Sequence, residues 1–187
     1  MLKNILPFVH ESLKEIIQTG DIVIDATAGN GHDTVFLAEK VGSNGQVWAF
    51  DIQQSALMTT RQRLEKRQLQ QQVRLIHDSH EYMNQYVNTG VRAIMFNLGY
   101  LPGGDKVLTT NVASSLQAIK IGLSSLMQGG LISIVLYPGH EAGQKETEAI
   151  LSWAKQLSQQ QVAVLQYGFI NRIHNAPFAL LLQKLLS

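Results

Sequence analysis

The chain has 187 residues, 45% hydrophobic and 16% charged, which is enough apolar material for one folded domain and excludes a charge-rich disordered chain. It has no cysteine, so disulfides, thiol catalysis and cysteine-ligated zinc are excluded, and a cytoplasmic location is expected. A net charge of +1 argues against extended binding along nucleic acid but permits a pocket that reads one nucleotide. Apolar runs are too short to span a membrane, and Pro7, His10 and Glu11 interrupt the first too early for a signal peptide.

Strand-like apolar runs alternate with longer helical patterns along the chain. In chain order the patterns predict helix 4–18, strand Ile22–Asp25, helix Asp33–Val41, strand Gln46–Asp51, helix Ser55–Gln70, strand Val73–His77, strand Ala93–Asn97, helix 110–128, strand Leu131–Tyr137, helix Glu141–Leu157, and strands Val162–Tyr167 and Phe178–Lys184. The pair Gly129-Gly130 is a natural C-terminal stop for the helix at 110–128.

The alternation of strands and helices predicts a mostly parallel sheet with helices on both faces. The segment Gly168–Pro177 is too short for a crossover helix, so the last two strands should pair as an antiparallel hairpin. We therefore predict a single α/β domain over residues 1–187, with residues 1–20 as an N-terminal helix that covers the core. Its sheet is doubly wound and Rossmann-like, with seven mostly parallel strands ending in an antiparallel hairpin, as is typical of class I methyltransferases. Such sheets bind ligands at the carboxyl ends of their strands.

The turn after the first strand, Asp25-Ala-Thr-Ala-Gly-Asn-Gly-His-Asp-Thr34, is a candidate cofactor loop. Its two glycines, Gly29 and Gly31, allow close approach of a ligand to the backbone. A dinucleotide fingerprint needs a third glycine where Thr34 stands, and Asp33 puts negative charge where a pyrophosphate would bind. The sequence therefore disfavours NAD.

S-adenosylmethionine suits this turn better, because it carries a sulfonium and an amino-acid group in place of a pyrophosphate. Asp25 is expected to face its ammonium and the amides of Ala28 to Gly31 its carboxylate, whereas Asp33 is expected to cap its helix. Asp51, at the end of the second strand, is expected to accept both ribose hydroxyls. The predicted cofactor-binding residues are Asp25, Thr27, Ala28, Gly29, Asn30, Gly31, Asp33, Asp51, Gln53, Asp78, Ser79, His80, Asn97 and Gly99.

The third strand ends in His77-Asp78-Ser79-His80-Glu81. Asp78 or Ser79 is expected to hold or frame the adenine, and an N-cap on the following helix is an equal and compatible alternative. His77 and His80 could ligate a metal from a helix, but no third and fourth ligands are evident, so no metal is predicted.

The fourth strand runs into Asn97-Leu-Gly-Tyr-Leu-Pro-Gly-Gly-Asp-Lys106. Methyltransferases that act on amines often carry an Asn/Asp-Pro-Pro-aromatic motif at this place, and Asn97 and Tyr100 occupy its outer positions. Asn97 is expected to orient the target nitrogen and Tyr100 to stack on the base, which makes both candidate catalytic residues. Asp105 and His140 are candidate proton acceptors or orienters, and a loop-bracing hydrogen bond is the alternative for His140.

Five stretches together resemble a small bacterial family labelled rRNA methylases, whose members convert tRNA 5-aminomethyl-2-thiouridine at the wobble position to its 5-methylaminomethyl form. They are Asp25–Thr34, Asp78–Glu81, Asn97–Asp105, Tyr137–Glu141 and Phe169–Phe178. The resemblance covers essentially the whole chain, with Pro138 and Ala176 as minor departures. It implies S-adenosylmethionine as cofactor, a homodimer, and an anticodon stem-loop as substrate.

The predicted substrate-binding residues are Tyr100, Lys106, Asn171, Arg172 and Asn175. Thr109 or Thr110 is expected to cap the helix that follows Lys106. A methyltransferase acting on rRNA or on a small amine remains an alternative, and a module that only binds the cofactor or RNA is the non-enzymatic one.

Two further features of the sequence each have two interpretations. The basic stretch Arg61, Arg63, Lys66, Arg67 and Arg74 favours a solvated helix face over an RNA footprint. His10 in the first helix is either structural or a cover for the cofactor.

Overall fold

The computed structural model describes residues 1–99 and 112–185. Five helices are described, namely α1 Ile5–Ile16, α2 His32–Val41, α3 Gln54–Arg67, α4 Val112–Ser125 and α5 Glu141–Ala154. The strands are β1 Ile22–Asp25, β2 Gln46–Asp51, β3 Val73–His77, β4 Val91–Leu98, β5 Leu126–Leu136, β6 Val162–Tyr167 and β7 Phe178–Lys184. Short 3₁₀ turns at Gln70–Gln72 and His80–Gln85 flank β3.

The strands form one seven-stranded sheet in the order β3-β2-β1-β4-β5-β7-β6. The first five are parallel, and β7 is antiparallel to both β5 and β6. This confirms the predicted doubly wound sheet with its terminal hairpin. The direction of winding reverses between β1 and β4, so their carboxyl ends form the topological switch point.

Both faces of the sheet are buried, because alternate residues of each strand point to opposite sides. Val23 faces the layer formed with Leu13 of α1 and Leu37 of α2, whereas Ile24 faces the layer that contains Ile119 of α4. All five side chains are fully buried. The apolar stripe of α1 therefore packs against one face of the sheet.

The boundary between α4 and β5 differs from the prediction. The helix ends at Ser125 and β5 begins at Leu126, so Gly129 and Gly130 lie within the strand. Val91 pairs with Leu126 but Ala93 pairs with Leu131, so β5 carries a bulge between Leu126 and Leu131, a segment in which Gly129 has a φ of 75°. The glycines therefore serve a bulge rather than a helix end.

Smaller boundary differences have local causes. The third helix stops at Arg67 because Gln68 takes a left-handed conformation with φ 56°. The fourth strand begins two positions early, at Val91, and α5 ends at Ala154. Within the described ranges, no helix is both long and apolar enough to cross a membrane.

Candidate functional site

The carboxyl ends of β1 and β4 bring a buried acid together with the glycine turn. Asp25 is 1% exposed and accepts hydrogen bonds from the Thr27 amide at 3.1 Å and the Thr34 hydroxyl at 2.6 Å. Burial, with a further contribution from the nearby Asp33 carboxylate, raises the pKa of Asp25 to about 7. A positive group placed beside Asp25 would stabilise its ionised form and lower this pKa.

The glycine turn folds tightly on itself, which corrects one prediction. Ala28 donates its amide to the Phe50 carbonyl at 2.9 Å, Gly29 to Asp51 Oδ2 at 2.8 Å, and Gly31 to the Ala28 carbonyl at 2.8 Å. These three amides are therefore hydrogen-bonded within the protein, whereas the sequence had predicted that they face a ligand carboxylate. These internal hydrogen bonds stabilise the turn, which reverses the chain within only a few residues.

Asp51 braces two loops at the end of β2. Its Oδ2 accepts the Gly29 amide and its Oδ1 accepts the Gln53 amide at 2.8 Å. A carboxylate oxygen has two acceptor positions, so each oxygen keeps one that can accept a hydroxyl. The contact of Asp51 with ribose stays a prediction, and the geometry is compatible with it.

Asp33 does not cap α2 as predicted, because the N-cap of this helix is Gly31 and no side chain caps it. The Asp33 carboxylate instead reaches two distant elements. Its Oδ1 lies 2.8 Å from His10 Nε2, and its Oδ2 accepts from Asn97 Nδ2 at 3.4 Å. The His10 ring stacks on Phe36 with centroids 4.1 Å apart. Sequence reasoning missed this pairing, since the only signal was a histidine adjoining the apolar stripe of α1.

Asn97 lies where the prediction placed it, at the end of β4 against the loop after β1. Its amide donates to Thr27 Oγ1 at 2.8 Å, and its side chain hydrogen-bonds to Tyr137. Burial raises the pKa of Tyr137, the Asp33 charge adds to this, and the bond from Asn97 opposes it. A Cβ on Gly99 would lie 3.2 Å from the Tyr137 ring. Tyr137 is a site residue that sequence reasoning had not singled out.

Five predicted residues of the loop after β4 cannot be placed. Tyr100, Asp105, Lys106, Thr109 and Thr110 lie outside the described residues.

The segment after β3 confirms the N-cap alternative for Ser79. Its hydroxyl accepts the Glu81 amide at 3.4 Å, and Asp78 accepts the Ser79 amide at 2.7 Å and the Tyr86 hydroxyl at 2.8 Å. His80 is buried beneath the glycine turn, with Nδ1 3.0 Å from the Ala26 carbonyl. Burial lowers the pKa of His80. Contacts of Asp78, Ser79 and His80 with an adenine stay predictions.

Each histidine of this segment lies within hydrogen-bond distance of a backbone carbonyl. His77 Nε2 lies 3.0 Å from the Ile52 carbonyl. Among the described residues, no group of three or more His, Cys, Asp or Glu side chains could hold a metal ion.

His140 caps α5, which confirms the loop-bracing interpretation. Its Nδ1 accepts the Gly143 amide at 3.1 Å. A direct catalytic role for His140 stays a prediction. The preceding Gly139 lies beside the hairpin loop, since a Cβ on it would be 3.5 Å from the His174 carbonyl.

The loop 168–177 between β6 and β7 lies at the same edge as the site. Arg172 stacks over the Phe169 ring at 3.9 Å and donates to Asn4 Oδ1 at 2.8 Å. Asn171 and Asn175 are exposed. The structure ties Arg172 to the start of α1, and contacts of Asn171, Arg172 and Asn175 with a substrate stay predictions.

The basic stretch behaves mainly as a solvated face. Arg63 donates Nε to the Asn30 carbonyl at 2.8 Å, and Arg67 pairs with Glu39 at 3.0 Å. Arg61, Lys66 and Arg74 are exposed.

Comparison with known proteins gives consistent matches over nearly the whole chain. The model of a family described as "Putative rRNA methylase" matches residues 47–183. A protein of Arabidopsis thaliana named "tRNA (mnm(5)s(2)U34)-methyltransferase, chloroplastic" is 36% identical over 180 residues, which cover 91% of this chain and 66% of that relative. The chain thus spans about two thirds of the length of this relative.

Two crystal structures are similar throughout. One, titled as a "putative rRNA-methylase" from Clostridium thermocellum, is 39% identical with a TM-score of 0.97, and the match covers 99% of this chain and 100% of that one. The other, titled as a "putative methyltransferase" from Streptococcus mutans in complex with SAH, is 40% identical with a TM-score of 0.91 and the same coverage of both chains.

Proposed function

We propose that this chain methylates the amine of 5-aminomethyl-(2-thio)uridine at the tRNA wobble position. The chain belongs to the family of methyltransferases described as rRNA methylases. The methyl donor is S-adenosylmethionine, and the products are 5-methylaminomethyl-(2-thio)uridine and S-adenosylhomocysteine. The observation that carries the proposal is the position of Asn97. It is held between the turn after β1 and Tyr137, at the switch point where such folds bind ligands.

The residues present fit this cofactor. Asp25, Asp33 and Asp51 stand at one edge of the sheet, and like charge contributes to the raised pKa of Asp25. A cofactor with a sulfonium and an ammonium supplies the positive charge that such a cluster lacks. The open acceptor positions of Asp51 suit the two hydroxyls of a ribose. The cofactor, when bound, supplies an electrophilic methyl group.

The chain's own task is to present a neutral amine in line with the carbon–sulfur bond. Such alignment alone contributes several kcal/mol in favourable cases, on the order of 7–11. Asn97 is suited to orient the nitrogen, because its side chain is anchored by Asp33 and Tyr137. A fixed amide loses little entropy when the substrate binds.

An anticodon loop is the substrate form we favour, and the name of the Arabidopsis relative supports it. Bases in a single-stranded loop can be splayed out without breaking a duplex, which suits a chain with a net charge of only +1. We propose that Asn171, Arg172 and Asn175 contact that loop. A homodimer acting in the cytoplasm is part of the proposal, drawn from the family resemblance and from the tRNA substrate.

The family name favours rRNA as the second candidate substrate, and one experiment separates the two. Purified protein and S-adenosylmethionine are incubated with tRNA or rRNA from a strain that lacks the chain, and the nucleosides are analysed by mass spectrometry. We expect 5-aminomethyl-2-thiouridine in tRNA to gain one methyl group. Methylation of rRNA alone, or of neither RNA, contradicts the proposal.

The variant Asn97→Ala tests the site in the same assay. We expect transfer to fall about a hundredfold or more while calorimetry shows cofactor binding near the wild-type value, since Asn97 is assigned to the amine. Asn88→Ala, an exposed asparagine before the amino end of β4, is the matched control and should retain activity. Full turnover by Asn97→Ala would remove this residue from the mechanism.

A further inference from the structure

The Asp33 carboxylate links the interior of the site to solvent. One oxygen lies 2.8 Å from His10 Nε2 and the other accepts from Asn97 Nδ2 at 3.4 Å. The Asp33 side chain is 12% exposed and that of His10 is 31% exposed. Residues from α1, α2 and β4 thus form one connected chain of polar groups that begins at the residue assigned to the amine and ends at the surface.

Asp33 is the acid of this cluster that is best placed to reach a ligand. Asp25 is buried and its two oxygens accept from Thr27 and Thr34. Asp51 stands farther along the sheet, at the end of β2, and holds two amides. Asp33 keeps open acceptor positions next to Asn97.

In the part of the chain that the structure describes, three titratable groups face Asp33. They are His10 on α1, Asp25 on β1 and Tyr137 after β5. From β4 it meets Asn97, which carries no charge. His10 is thus the only nitrogen base in contact with the carboxylate among the described residues.

We propose that Asp33 accepts the proton that a primary alkylammonium substrate must lose, and that His10 is a positioning residue that donates Nε2–H to the other oxygen of Asp33. This assignment rests on the proposed function and deepens it, since it names the proton acceptor for the amine. The sequence alone had pointed to Asp105 and His140, and His140 is engaged in capping α5.

The proposed transfer conserves atoms and charge. An N–H bond of the ammonium breaks, its electron pair stays on nitrogen, and the proton passes to Asp33 Oδ2. The nitrogen pair then forms a bond to the methyl carbon while the carbon–sulfur pair moves to sulfur, which leaves as a neutral thioether. The product is a secondary ammonium, and Asp33 returns its proton to water on the side where His10 is exposed.

A base within the site matters because the free amine is scarce. An alkylamine with an ordinary pKa near that of lysine is neutral in about one molecule in a thousand at pH 7. An enzyme that accepts the proton can bind the abundant ammonium form. A variant without the acceptor must wait for the scarce neutral form, whose concentration rises about tenfold for each pH unit.

The variant Asp33→Asn tests this through its pH profile. The value of kcat/KM for tRNA is measured from pH 7 to 9, at cofactor concentrations that calorimetry shows to be saturating. We expect a deficit of about a hundredfold or more at pH 7 that shrinks to within about tenfold at pH 9. Asp21→Asn, at the amino end of β1, is the matched control and should parallel the wild type.

The opposing outcomes are distinct. A deficit that stays constant across this pH range marks a purely structural role for Asp33 and overturns the inference alone. Loss of cofactor binding that no concentration saturates assigns Asp33 to the cofactor and also overturns it. Absence of transfer by the wild-type chain overturns the proposed function, and this inference falls with it.

Two variants of His10 test the positioning role. His10→Phe keeps a ring to stack on Phe36 but removes the N–H donor, whereas His10→Gln keeps a donor of similar reach. We expect kcat to fall about tenfold in His10→Phe, with KM for tRNA little changed, and to recover in part in His10→Gln. Equal activity of the two variants would contradict the donor role.

Discussion

Asp25 illustrates how a buried strand can carry a charge into the interior. The hydrogen bonds from Thr27 and Thr34 favour its ionised form, but burial outweighs them and raises the pKa of Asp25 to about 7. The Asp51 charge acts in the same direction and makes the smallest contribution. The residue is therefore a source of pH-dependent stability as well as a part of the site.

The sign of that dependence follows from the raised pKa. The folded chain binds the Asp25 proton more tightly than the unfolded chain, whose Asp has the ordinary value of 3.8, so stability is lost as the pH rises through about 7. We expect Asp25 to cost the ligand-free protein about 2–3 kcal/mol of unfolding free energy between pH 5 and pH 8. Asp25→Asn should lack this fall in urea unfolding. Parallel pH profiles for the two proteins would refute the assignment.

At the scale of elements, Thr27 couples the turn after β1 to the end of β4. Its hydroxyl oxygen accepts the Asn97 amide at 2.8 Å, so a change in the first loop is transmitted directly to the residue assigned to the amine. The glycine turn packs closely against α3, because a Cβ on Gly31 would lie 2.7 Å from Thr60 Oγ1. Two loops far apart in sequence are thus joined directly at this edge of the sheet.

Thr27→Val tests this coupling. Valine keeps the branched shape but cannot accept the Asn97 amide, which leaves a part-buried donor unpaired at a cost of about 1–3 kcal/mol. We expect kcat to fall about tenfold, with a smaller change in cofactor affinity by calorimetry. Thr59→Val on the exposed side of α3 is the control. An unchanged kcat in Thr27→Val would show that the two loops are not coupled.

At the scale of the whole molecule, the terminal hairpin secures the first helix. The Phe8 ring stacks on Tyr167 with centroids 3.7 Å apart, and the Tyr167 hydroxyl donates to the Lys3 carbonyl at 2.7 Å. Arg172 adds a bond to Asn4. The last elements of the chain therefore hold the first, and α1 in turn carries His10 to Asp33.

Removal of the Tyr167 contacts with the first helix should loosen α1. We expect Tyr167→Ala to lower the unfolding free energy by about 2–4 kcal/mol, because it removes the stacked ring, whereas Tyr167→Phe loses only the hydrogen bond and about 1 kcal/mol. Hydrogen exchange should show faster exchange in α1 for the alanine variant. Equal exchange in both variants would mean that other contacts hold the helix.

Much of the fold could be predicted because its signals are local. Short apolar runs predicted the strands, and the short segment 168–177 predicted the hairpin, since it cannot contain a crossover helix. Gly129 was misread as a helix stop, because a bulge and a helix end need the same backbone freedom. Only the register between β4 and β5 distinguishes the two.

The sequence by itself determined the sheet and placed Asp25, Asp51 and Asn97 at the ends of strands, because strand ends are readable from neighbouring residues. Tertiary structure alone decided what these groups touch. The turn amides donate to Asp51 and to the Phe50 carbonyl, and Asp33 contacts His10 rather than capping its own helix. Such partners come from the packing of α1 and β2 around the first loop, and side chains so far apart in sequence leave no local signal of their contact.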